Sequence, residues 1–242
     1  ALTIEIHPLS PSSNCQLVPP SMSGVALVLG VGPGIGLSVA KRWAQSGKVA
    51  VACRTAAKAK ELAAAAGPNV TGYAADVTDP ASLSACVEAV EKDLGTIDFL
   101  CYNAGSGVWK KPFEITLDEF EACWRTNAAG LLNAAQLVCP KMVERGSGAI
   151  AITGATASLR GKPFTAGFAA AKGAQRMLAQ SLARDLGPKG VHCFLAIIDG
   201  GVGDREGGIA PDAIAQTYWD VAHQPSSCWT FEIDVRPSVE NW

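Results

Sequence analysis

The stretch Gly30-Val-Gly-Pro-Gly34-Ile35-Gly36 is the part of the chain whose residue types most directly imply chemistry. Where side chains are missing, backbone N–H groups can approach a pyrophosphate, and a helix starting there adds the positive end of its dipole. Between a strand and a helix such a run is a dinucleotide-binding turn, and elsewhere it is merely a glycine-rich turn. Three tyrosines, Tyr73, Tyr102 and Tyr218, are the available phenols. The cysteines are Cys15, Cys53, Cys86, Cys101, Cys123, Cys139, Cys193 and Cys228, and the histidines are His7, His192 and His223. No Cys-x-x-Cys pair occurs, so metal-ligand spacing is missing and no metal is expected. Most of the cysteines sit in apolar runs, which reads as buried free thiols in a reducing compartment.

The glycine run falls where strand signals give way to helix signals. Val25-Ala-Leu-Val-Leu29 is continuously apolar, and a helix is predicted from about Gly34 to Gly47 with Leu37, Ala40 and Trp43 on one face. Further strands are predicted over 49–52, 70–74, 97–102, 149–153, 191–198 and 229–235. Helices are predicted over 58–66, 80–94, 166–186 and 211–222, with one long, bent helix over 117–142. Apolar strands alternating with helices predict an α/β fold, a single Rossmann-like doubly wound parallel sheet with helices on both faces. At 242 residues the chain can bury about three quarters of its unfolded surface, which suits one domain without staples.

Further residues then fall into order along this frame. Asp76-Val77 closes the third strand, and Asn103-Ala104-Gly105 follows the fourth. Asn127 lies in the long helix, Lys172 on the helix after the fifth strand, and Asp199-Gly-Gly-Val202 after the sixth. With the G-x-x-x-G-x-G run, these stations resemble the short-chain dehydrogenase/reductase family over about residues 24–205. The resemblance implies an NAD(P)-binding oxidoreductase acting on a carbonyl or alcohol. Its cofactor contacts would be Gly30, Gly34, Ile35, Gly36, Arg54, Asp76, Val77, Asn103, Ala104, Gly105, Lys172 and Val202, and its catalytic residues Asn127 and Lys172. The family uses the segment corresponding to 203–228 to shape the substrate pocket. It pairs the two helices over 117–142 and 166–186 into dimers and tetramers, and the small residues Ala169, Ala170, Ala171, Gly173 and Ala174 would permit such an approach. Docking into a larger assembly would use the same faces.

At the end of the second strand, NAD users of this family tend to carry an Asp that accepts from the ribose 2′-OH. This chain has Cys53-Arg54-Thr55, and a guanidinium can clamp a 2′-phosphate, so NADP is favoured over NAD. Two departures concern the chemistry. The family Tyr, four residues before the Lys, corresponds to Phe168, and the family Ser to Ala155. Phenylalanine has no proton to deliver. Either the proton comes from water, substrate or a relocated side chain such as Tyr218, or the protein is non-catalytic, a dinucleotide-binding or, with an empty cofactor site, purely structural subunit of a larger assembly. A third departure puts Asp199 where the family has Pro.

Composition narrows the partners. Twenty Lys plus Arg against 22 Asp plus Glu leave a net charge of −2, so there is no electrostatic case for nucleic acid. Hydrophobic residues make up 48% and charged ones 17%, which excludes a disordered tail protein. No Asp, Glu, Lys or Arg occurs between Glu5 and Lys41, but the apolar part of that run, Gly24 to Leu37, holds five glycines and Pro33, too short and broken for a membrane span. Residues 1–23, rich in Pro and Ser, are expected to be an irregular arm, and 24–242 the domain. The chain starts at Ala1, so a removed presequence and a soluble existence in the cytoplasm or an organelle interior are the expectation.

Overall fold

Strands β1 (Val25–Leu29) and β6 (Val191–Ile198) are buried at every residue because helices cover both faces of the sheet. The computed structural model describes residues 24–239, so the predicted arm, His7, Cys15 and Trp242 lie outside the described residues. Between β1 and β6 come β2 (Val49–Cys53), β3 (Val70–Ala74), β4 (Ile97–Tyr102) and β5 (Gly148–Ala155), and β7 (Glu232–Val235) follows. All seven are parallel, in the order β3-β2-β1-β4-β5-β6-β7. The winding reverses between β1 and β4, which opens a crevice beyond the carboxyl ends of those strands.

Alternate residues of each strand feed two cores. Leu27, Leu100, Tyr102, Ile150 and Ile152 pack with α3 (Pro80–Asp93), α5 (Gly130–Arg145) and α6 (Ala166–Leu186). Val28, Val51, Phe99, Cys101 and Phe194 pack with α1 (Ile35–Ala44), α2 (Ala56–Ala66) and α7 (Pro211–Ala222). Two helix starts are fixed by side-chain caps. Asp79 accepts from the Ala81 N–H at the head of α3, and Thr116 with Glu119 forms a capping box on α4 (Leu117–Trp124).

The long helix predicted over 117–142 is two helices joined by a π turn at Arg125–Ala129, and α5 runs on through Pro140 to Arg145. The cause lies in side chains that take up the local backbone carbonyls. Asn127 Nδ2 donates to the Cys123 carbonyl, Thr126 Oγ1 to that of Ala122, and the Tyr102 hydroxyl to that of Thr126. The last strand is shorter than predicted. Trp229 lies outside it, stacked on His192 with ring centroids 4.8 Å apart. Cys86, Cys101, Cys123, Cys139 and Cys193 are free and buried, while Cys228 is exposed. Among the described residues no His/Cys/Asp/Glu group could hold a metal, and no helix is long and apolar enough to cross a membrane.

The edge strand β3 lies hard against α2 at Gly72, where a Cβ would enter the backbone of Ala59. Gly72→Ala is expected to lower stability by about 1–3 kcal/mol, the usual range for overpacking. The urea unfolding midpoint measures it, and an unchanged midpoint would mean the helix is not seated this closely.

Candidate functional site

The glycine run lies at the crevice and does two different jobs there. Gly30 has φ +87°, and a Cβ on it would collide with the backbone of Asn103 and Ala104. Gly36 sits tightly against Val31, 3.0 Å from its would-be Cβ, so α1 can start beside β1. Gly32 faces open space, and Gly34 meets only Val202 Cγ1 at 3.9 Å. Helix α1 has no side-chain cap and no acidic residue in its first turn. An open cradle at an uncapped helix N-terminus fits a pyrophosphate.

A cavity of about 500 Å³ continues from this cradle. Gly30, Arg54, Asp76, Val77, Asn103, Ala104 and Gly105 line it, so most of the predicted cofactor residues come together. Sequence reasoning missed Thr78, Ser106, Arg125 and Thr126 on the same wall. The last two follow α4, and no motif marks them. Arg54 is exposed at the end of β2. Asp76 accepts from the Thr78 hydroxyl at 2.7 Å and the Thr78 N–H at 2.9 Å. The hydroxyl bond, then the backbone one, holds its carboxyl below the ordinary aspartate range.

Behind the cavity runs a buried polar chain. Asn103 Nδ2 donates to the Gly30 carbonyl at 2.8 Å, and its Oδ1 accepts from the Thr153 hydroxyl at 2.9 Å. That hydroxyl accepts from Tyr218 at 3.0 Å. The Thr153 carbonyl takes Lys172 Nζ at 2.8 Å, and Nζ also donates to Gln175 Oε1 at 2.9 Å. Lys172 is only 5% exposed, so it is not a solvent-facing helix lysine. Burial pulls its ammonium down to about 7. Gln175, three residues on along α6, is a partner that the sequence did not announce.

Tyr218 does not fill the role of a relocated proton donor. It is fully buried with its hydroxyl committed to Thr153, and burial raises its pKa above the ordinary tyrosine value. Tyr102 is likewise buried under the π turn. Tyr73 bonds Asp93 on α3 instead. Asn127 is fully buried in the π turn, with Nδ2 on the Ser106 and Cys123 carbonyls at 2.8 Å. Its Oδ1 has no hydrogen-bond partner and lies 3.3 Å from where a Cβ on Gly105 would stand.

Phe168 stands one helical turn before Lys172, whose Nζ is 5.8 Å from the ring centre. The ring stacks on Trp109 at 5.6 Å. Ala155 ends β5 and carries no polar group to this side. Phe168 forms one wall of a second cavity, about 170 Å³, with Trp109, Thr156, Arg160, Lys162, Thr165 and Asp199. Val202 pairs with Ile209 beside the glycine cradle. A separate groove of about 520 Å³ between α6 and β7, lined by Arg176, Trp229 and Glu232, contains none of the predicted residues.

Comparison with known proteins identifies the family and the fold. Residues 24–202 match the family described as short chain dehydrogenase. The chain is 31% identical to the galactitol 2-dehydrogenase of Agrobacterium fabrum, over 85% of this chain and 76% of that protein. It is also 31% identical to the 7alpha-hydroxysteroid dehydrogenase of Escherichia coli K12, over 78% and 70% respectively. A crystal structure of a short-chain dehydrogenase from Rhodopseudomonas palustris superposes with a TM-score of 0.80 at 33% identity, covering 88% of this chain and 98% of that one.

The buried ammonium makes stability depend on pH. The unfolded chain keeps the Lys172 proton to about pH 10.4, whereas the folded protein releases it near 7. Between those values the unfolded state binds more protons, so stability from this site rises with pH. Urea midpoints of the protein and of Lys172→Met, taken from pH 6.5 to 10, should converge or cross in favour of the native lysine as pH rises. Parallel curves would mean an ordinary lysine.

Proposed function

We propose that this chain, which belongs to the short chain dehydrogenase family, binds NADP in preference to NAD and acts on a carbonyl or alcohol by a weakened or altered route. The observation that carries the reading is the open cradle Gly30–Gly36, whose first residues Gly30 and Val31 line one cavity with Arg54 and Asp76. Backbone N–H groups at Gly34, Ile35 and Gly36 would hold the pyrophosphate. Arg54 would take the 2′-phosphate, which an Asp in its place would repel. Asp76 and Val77 would border the adenine end, and Asn103, Ala104, Gly105, Lys172 and Val202 the inner half. The dinucleotide, when bound, supplies or accepts the hydride.

What the chain itself supplies toward the proton is unusual. Phe168 and Ala155 stand where the family's Tyr and Ser are expected, and neither has a hydrogen to donate. Asn127 and Lys172 remain as the polar pair of the site. The loss of a positioned acid removes about 10²- to 10⁴-fold in rate, which an activated carbonyl can tolerate. A second reading, a non-catalytic dinucleotide-binding subunit, draws on the Phe168–Trp109 stack and on the commitment of Tyr102 and Tyr218 to other partners. We further propose self-association through α4, α5 and α6, whose surface exposes Leu117, Trp124, Leu132 and Met177.

Titration by fluorescence should show NADPH binding at least about tenfold tighter than NADH, and Arg54→Ala should erase most of that difference, as expected for a charge-assisted pair. Equal affinities would remove the NADP preference. Joint replacement Phe168→Tyr and Ala155→Ser should raise NADPH-dependent reduction of aldehydes, ketones or quinones by about 10²-fold or more. Tight NADPH binding with no turnover in either protein would favour the non-catalytic reading.

A further inference from the structure

Gln175 is a residue that packing alone does not explain. It is fully buried on α6, where a hydrocarbon of the same length would fill the space without needing partners. Its Oε1 accepts from Lys172 Nζ at 2.9 Å, one turn back along the helix. Its Nε2 is buried with no hydrogen-bond partner among the described residues. An ammonium has hydrogens only to give, so the oxygen end of the amide must face it and the nitrogen end is left over.

Among the described residues nothing charged faces Lys172 to fix its protonation. Thr153 meets Nζ from β5 with its carbonyl at 2.8 Å, and the phenol of Tyr218 on α7 stands behind the same residue. Phe168 faces it from its own helix. From the loop after β4 and from the π turn come Gly105 and Asn127. A Cβ on Gly105 would lie 3.7 Å from Nζ and 3.3 Å from Asn127 Oδ1. Burial alone displaces the ammonium, so its charged and neutral forms are both populated near neutral pH.

The unpartnered nitrogen gives the amide a freedom that a fully bonded one lacks. When Nζ loses its proton to water it keeps the electron pair, and it then needs a donor where it had an acceptor. A half-turn of the planar amide exchanges Oε1 and Nε2, and Nε2–H donates to that pair. The two ends of the amide have nearly the same shape, the terminal torsion is soft, and no bond to Nε2 has to break. The Thr153 carbonyl accepts from a remaining N–H in either form. Glutamate only accepts, and methionine does neither.

Resting on the reading of Lys172 as a residue of the cofactor site, we propose that Gln175 is a positioning residue. By turning its amide it holds Lys172 Nζ at the Thr153 carbonyl in both the charged and the neutral form. The lysine gives up a proton and takes it back without leaving its place, one turn from a ring at Phe168 that has none to offer.

The test follows two NMR signals of the protein without dinucleotide, from about pH 5.5 to 10. One is the Lys172 ε-carbon, identified by its absence in Lys172→Met. The other is the Gln175 side-chain amide, assigned through its own backbone. The amide nitrogen should move with the same midpoint as the Lys172 carbon, and that movement should disappear in Lys172→Met. The Overhauser contact between the amide protons and the Lys172 ε-methylene should strengthen as the lysine loses its proton, because Nε2 then faces Nζ. Gln175→Glu, which cannot donate, should raise the Lys172 midpoint by about 1 or more. If that variant does not fold, the two signals of the native protein decide. A contact that stays constant through the Lys172 midpoint, an amide that moves at another pH, or a Lys172 that titrates only at about 10.4 like an exposed lysine overturns the proposal. NADPH binding plays no part in these measurements, so failure of the cofactor reading shows separately in the NADPH titration.

Discussion

Thr153 holds the crevice together. Its hydroxyl joins Asn103 to Tyr218, and its carbonyl takes the Lys172 ammonium, so one residue at the end of β5 ties β4, α6 and α7. Asn103 passes the connection to the Gly30 carbonyl, and so to the cradle. Each such bond contributes only about 1 kcal/mol net, yet leaving one buried member unpaired costs about 1–3 kcal/mol. The chain is therefore far more sensitive to the loss of one partner than to the strength of any one bond, and the shape of the crevice is the beneficiary.

That arrangement explains why tyrosines cannot be exchanged freely for function here. From the sequence, Tyr218 is a candidate donor because it lies in the segment expected to cover the pocket. Its burial against β5 follows from the face of α7 it shares with Ile214 and Val221, which points into the core. A phenol locked under the sheet serves geometry, whereas one at the cavity mouth would serve chemistry. Tyr218 is of the first kind, and the ring that lines the smaller cavity is Phe168.

The fold was readable because its signals are local and redundant. Continuous apolar runs set off by glycine, and helical faces such as Leu37, Ala40 and Trp43, each carry their period within a few residues. The cradle was readable for the same reason, since Gly30 to Gly36 is contiguous. Three things were not. The π turn depends on Tyr102, 24 residues away, donating to the Thr126 carbonyl. The start of β7 at Glu232 depends on Trp229 preferring His192 across the chain. The charged cavity depends on Arg160, Asp199 and Arg236 meeting from three separate segments. Long-range side-chain meetings leave no periodicity, so only the odd residue type, Asp199 in place of Pro, gave a hint.

Binding and proton delivery are separable in this architecture, and Lys172 shows how. An ammonium buried without a carboxylate beside it would be costly if it had no other partners. Here the Thr153 carbonyl and Gln175 Oε1 both accept from it, and neither contact involves Phe168. The lysine thus has a structural reason to remain whether or not a phenol stands one turn before it, and its presence alone does not imply the reaction it serves elsewhere. The cradle is likewise independent of Phe168, because it is built from backbone and from Asn103. The residue beside the cavity wall can therefore vary without disturbing the glycine cradle, whose shape is set by backbone contacts and by Asn103.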